Sequence, residues 1–124
     1  MKEYELKDLG KDGLEWNNAK SIAIEKANFI EFNILYISSE LEEFIKKYED
    51  DFVERGKKTK LYKSGEFLRF RFSNVLKEFI SNSTFKQFKN CYVEDPSFYI
   101  GDNEIIATIT HEDQIYYNKE HSSD

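Results

Sequence analysis

Phe29-Ile30-Glu31-Phe32-Asn33-Ile34-Leu35-Tyr36-Ile37 is the stretch on which the fold turns, because it satisfies two periodicities at once. With its surroundings it joins a stripe of Ala23, Ala27, Ile30, Ile34, Ile37, Leu41, Phe44 and Tyr48, spaced by fours and threes as on one helix face. By itself it is rich in β-branched and aromatic residues, and Ile30, Phe32, Ile34 and Tyr36 alternate as on one strand face. The longer stripe predicts either one helix or two, over 17–37 and 39–55. Asn17 or Asn18 would cap the start, Ser39-x-x-Glu42 would form a capping box at the restart, and Gly56 would end it. The rival reading is a strand over 28–37 between two helices.

Downstream, Lys58–Lys63 and Glu66–Phe72 flank Ser64-Gly65 and read as a hairpin. Leu68, Phe70 and Phe72 would face one way, and Phe67, Arg69 and Arg71 the other. A helix follows from about Asn74, with Thr84-x-x-Gln87 as a second capping box. The remainder reads as a meander: Tyr92-Val93, Phe98–Ile100, a turn at Gly101-Asp102-Asn103, Ile105–Thr110 and Gln114–Tyr117. The expected fold class is α+β: a single domain over 1–124, helical to about residue 55 and then an antiparallel sheet, with a loose tail at 119–124. Leu41, Phe44, Ile45, Tyr48, Leu68, Phe70, Phe79 and Ile109 are the expected core.

At 124 residues the chain is long enough to bury a core without metals or disulfides. The single Cys91 and a start without an apolar run fit a cytoplasmic protein, and no segment approaches the ~20 apolar residues that cross a bilayer. Charge is unevenly placed. Three Lys/Arg stand against seven Asp/Glu in residues 38–56, six against one in 57–71, and one against eight in 93–124, giving −4, +5 and −7.

No phosphate loop, paired cysteines or nucleophile elbow is present, so no cofactor is expected and no catalytic residue is assigned. His111-Glu112-Asp113 is the one cluster with the composition of a metal or acid–base site, but it reads as the turn between the last two strands. Cys91 lacks a nearby base and reads as a small buried hydrophobe. Lys57, Lys58, Lys60, Lys63, Arg69 and Arg71 interleave with Tyr62 and Phe67, the composition of a strand-borne RNA platform. The net charge of −6 opposes that function, and pairing of the hairpin with the chain's own carboxylates is the expectation.

The expected binding face is the acidic, aromatic C-terminal meander, with Glu94, Asp95, Asp102, Glu104, Glu112 and Asp113 as carboxylates and Tyr99 and Tyr117 as anchors. The acidic helix 39–55 is a second possibility. In size, charge and absence of motifs the chain resembles the immunity proteins that bacteria make against toxins; the likeness covers no diagnostic residues. It implies a small acidic inhibitor whose carboxylates occupy the basic cleft of a partner such as a toxin nuclease domain, with no membrane or nucleic-acid partner. The alternatives are a nucleic-acid mimic or regulatory inhibitor, a weak RNA binder through 57–71, and an enzyme using His111.

Overall fold

A computed structural model describes residues 4–59 and 64–119 of the chain. Lys60, Tyr62 and Lys63 of the basic stretch, and the expected tail apart from Lys119, lie outside the described residues. The described residues form an α+β fold, with three α-helices and a seven-stranded antiparallel sheet. In chain order the elements are β1 (Tyr4–Asp8), α1 (Leu14–Lys26), β2 (Phe29–Ile34), α2 (Ser39–Lys47), β3 (Phe52–Thr59), β4 (Ser64–Arg71), α3 (Asn74–Ser81), β5 (Val93–Ile100), β6 (Asn103–Ile109) and β7 (Gln114–Asn118). The sheet order is β1-β7-β6-β5-β2-β4-β3.

Within the deciding stretch Phe29–Ile34 is therefore a strand, not a helix, while residues 35–37 lead from it to α2; the expected helical N-terminal part is corrected accordingly. β2 lies inside the sheet, hydrogen-bonded to β4 on one side and β5 on the other. The four-residue step from Ile30 to Ile34 is common to both periodicities, so the stripe alone did not discriminate. The β-branched and aromatic content favours the strand, because those side chains fit a pleated surface packed on both sides. Ala27 ends α1 by turning to extended backbone.

The second helix is also shorter than 39–55. α2 is capped by Ser38, not Ser39: the Ser38 hydroxyl accepts the Leu41 N–H at 3.1 Å. It stops at Lys47, before Glu49-Asp50-Asp51, where carboxylates would meet the negative end of the helix dipole. Gly56 ends no helix; it lies in β3 opposite Phe67, whose ring would stand 3.3 Å from a Cβ there. Other local expectations hold. Ser73 caps α3, and Thr84 and Gln87 exchange reciprocal side-chain to backbone hydrogen bonds at 2.9 and 3.2 Å.

The helices pack on one face of the sheet, where alternate strand residues Ile30, Phe32, Leu68, Phe70, Phe98, Ile106 and Ile115 meet Trp16, Ala19, Ala23, Leu41, Phe44, Leu76 and Ile80. Of the expected core, Leu41, Phe44, Tyr48, Leu68 and Phe70 are buried, whereas Ile45, Phe79 and Ile109 are only half-buried. Lys20 reaches from α1 to the Ser81 and Ser83 carbonyls at the end of α3, and Trp16 Nε1 donates to Ser83 as well. Burial lowers the Lys20 pKa below its ordinary value.

Candidate functional site

On the face turned away from the helices, strand alternation gathers polar groups that the sequence scatters. Arg69 of β4 lies opposite Glu31 of β2, and its Nη1 is 2.8 Å from Glu31 Oε2. Its Nη2 donates to the Gly101 carbonyl at 2.6 Å and stands 3.6 Å from Asp102. The guanidinium is flanked by the rings of Phe29 and Tyr99, at 4.2 and 5.0 Å from their centroids. Glu31 and Arg69 are 1% and 7% exposed, so this is a buried pair. Tyr99 donates to Glu104 at 3.2 Å, and Tyr4 donates to the other Glu104 oxygen. Burial first, then the charges and hydrogen bonds of Glu104 and Glu31, holds the Tyr99 phenol far above its ordinary pKa.

Further along the same face, β5 bulges. Glu31 pairs with Ser97 and Asn33 with Glu94, so two β5 residues, Asp95 and Pro96, oppose the single Phe32. Pro96 has no N–H to lose from the ladder, and Asp95 takes a left-handed backbone with φ of 51°. Its Oδ1 accepts from the Thr110 N–H at 2.8 Å and the Thr110 hydroxyl at 2.7 Å, while its Oδ2 accepts from Asn33 at 3.3 Å. Glu94 is buried with Oε1 at 3.1 Å from His111 Nε2. The His111 imidazole thus stands beside a buried carboxylate. His111, Glu112 and Asp113 form the expected turn, and Lys89 pairs with Asp113 at 2.6 Å. Among the described residues no group of three or more His, Cys, Asp or Glu is arranged to hold a metal ion.

These positions revise the expected binding face. Glu94 and Asp95 are each 2% exposed, Tyr99 is 6% and Tyr117 is 5%. Tyr117 points to the helix side, where its hydroxyl donates to Glu15, and burial with that bond raises its pKa far above the ordinary value. Asp95 is internal with its carboxylate accepting from Thr110 and Asn33, Glu94 lies beside His111, and Tyr117 is part of the helix-side core. Asp102 and Glu112 remain exposed, and Glu104 and Asp113 are half-buried. Within the basic stretch Arg69 pairs with the chain's own carboxylates, and just before it Arg55 lies 3.5 Å from Glu42 and 3.7 Å from Glu66.

Exposed carboxylates also gather at α2, whose last turn carries the exposed Lys46 and Lys47. Leu41 and Phe44 turn inward with Tyr48, leaving Glu40, Glu42 and Glu43 exposed, with Glu49 and Asp50 beyond the helix end. Just before the helix, Leu35, Tyr36 and Ile37 are three successive exposed apolar residues, and Ile37 is 61% accessible. Between α2 and α3 run two adjoining concavities of about 320 and 260 Å³, which share Lys47, Tyr48 and Phe79. Their floor is aromatic: Phe44, Tyr48, Phe79 and Tyr92 lie with ring centroids 5.1–5.9 Å apart in successive contacts. Burial raises the Tyr48 and Tyr92 pKa values; for Tyr92 the neighbouring Cys91, Glu40, Tyr48 and Glu43 add to the rise. The sequence stripe pointed to Phe44 and Tyr48. It did not reveal α3 as the opposite wall or bring in Glu78 and Tyr92, which are distant in the chain.

Comparison with protein-family models, with curated proteins and with solved structures finds no match to this chain.

Proposed function

We propose that the chain is a small protein-binding module of the immunity type, a cytoplasmic inhibitor that neutralises a basic protein partner through the surface around α2. The observation that carries this reading is the adjacency of Leu35-Tyr36-Ile37, exposed and apolar, to the exposed carboxylates Glu40, Glu42 and Glu43. Apolar side chains supply buried contact area, and surrounding carboxylates steer a cationic partner and disfavour acidic ones. The C-terminal segment contributes net negative charge to the long-range field, with Asp102 and Glu112 at its surface. Among the described residues no helix is long and apolar enough to cross a membrane.

A photo-crosslinking residue at position 37, with position 6 as a distant exposed control, tests the placement in the source cell. The expected adduct at position 37 is a basic protein whose toxicity is relieved by co-expression of this chain. Both effects should vanish in Glu40→Lys/Glu43→Lys. Adducts with nucleic acid, with acidic proteins, or from position 6 alone would overturn the reading.

A further inference from the structure

We infer that the trough between α2 and α3 receives a short Lys/Arg-bearing segment of the partner, which lays one aliphatic or aromatic side chain onto Tyr48 and Phe79. The inference rests on the protein-binding reading above and specifies its chemistry. The trough is continuous, because the two concavities share Lys47, Tyr48 and Phe79. Its floor offers the half-buried rings of Phe79 and Tyr92 beside the largely covered Tyr48, and Val75 of α3, 58% exposed, adds an apolar wall. Such a floor gains by covering its rings with an apolar side chain, the arrangement that makes an anchor residue dominate an interface.

The rim selects the charge of the segment. Glu40 and Glu43 border one concavity and Glu78 the other, and among the described residues none of the three is in an ion pair. Lys47 is the informative exception. It sits where the concavities join, with its ammonium 5.6 Å from the Tyr48 ring centroid. The site therefore already holds a cation against that ring, supplied by the chain itself. An incoming lysine or arginine displaces Lys47, and the Lys47 charge opposes it until displaced.

The test selects random twelve-residue peptides by display on the full chain, with counter-selection on Glu40→Lys/Glu43→Lys/Glu78→Lys checked for fold by circular dichroism. Recovered peptides should carry Leu, Ile, Phe or Trp flanked by Lys or Arg. Added to labelled protein, they should shift the amide resonances of Tyr48, Val75, Phe79 and Tyr92. Affinity should fall about tenfold in Glu43→Lys/Glu78→Lys and rise several-fold in Lys47→Ala. A groove that merely supports the fold would give no such gain.

Failure to enrich peptides, peptides without basic residues, shifts confined to the sheet, or indifference to Lys47 would each overturn the inference. A partner trapped at position 37 alongside a failed selection would leave the protein-binding reading standing and remove the trough from it. Groove-binding peptides with no adduct at position 37 would keep the trough as a binding site and remove Leu35-Tyr36-Ile37 from the interface.

Discussion

The Asp95 carboxylate holds Thr110 by two hydrogen bonds from a single oxygen, one to the backbone N–H and one to the hydroxyl, across the β5 and β6 ends of the sheet. Asp95 does this from a left-handed backbone immediately before a proline, where extended conformations are the norm. The side-chain bonds offset the local strain, because each leaves fewer buried donors without an acceptor.

Asp95→Ala should therefore destabilise the fold by about 3 kcal/mol, the scale of lost charge-assisted bonds and an orphaned buried N–H. Asp95→Asn keeps an acceptor on the same geometry and should cost less. Urea unfolding of the two variants checks the order. Equal losses would show that the carboxylate's hydrogen bonds are not what the bulge depends on.

The buried Glu31–Arg69 pair makes a contrasting prediction. Removing one partner leaves a buried charge, so Arg69→Met alone should cost about 3–5 kcal/mol. Glu31→Leu/Arg69→Met together replaces both charges with apolar volume and should recover much of that loss. A double variant no more stable than the single would mean that the Gly101 and Asp102 contacts dominate.

Association with a basic partner should depend on α2 more than on the meander. Charge reversal at Glu40 and Glu43 should lower the on-rate and flatten its salt dependence, since exposed rim carboxylates act mainly by steering. Reversal at Asp102 or Glu112 should change the on-rate less. Stopped-flow measurements across a salt series decide between them, and larger effects at Asp102 would return the interface to the C-terminal strands.

Alkaline titration gives a prediction with a definite sign. Tyr99 and Tyr117 have folded pKa values raised above the ordinary 10.0. The folded state holds these protons more tightly than the unfolded state, so their stabilising contribution is complete below pH 10 and declines as pH rises beyond it. Phenolate absorbance from both rings should appear together with loss of circular dichroism. In Tyr99→Phe/Tyr117→Phe the absorbance step that accompanies unfolding should shrink.

Short-range signals in the chain were legible. Thr84 and Gln87 close the capping box their spacing announces, and Gly101, with φ of 59°, turns β5 into β6 as expected. The Ile30 to Ile37 stretch was ambiguous because the four-residue step from Ile30 to Ile34 serves both a helix face and a strand face. Its resolution depended on β4 and β5, which lie far along the chain. The acidic meander was legible as composition but not as surface. Whether Glu94 faces solvent is decided by its register against Asn33 and by His111 beside it, neither of which is encoded locally. Tyr117 is likewise tied to a distant partner, Glu15, 102 residues away.

β1 has one neighbour in the sheet, β7, with Tyr4 opposite Asn118 and Asp8 opposite Gln114. During synthesis β1 thus leaves the ribosome more than a hundred residues ahead of the strand it pairs with. A nascent chain ending at residue 109 holds β2 to β6 but lacks β7, the strand that residues 4–8 pair with. Among the described strands, β1 reaches its observed place only after the much later β7 has been made.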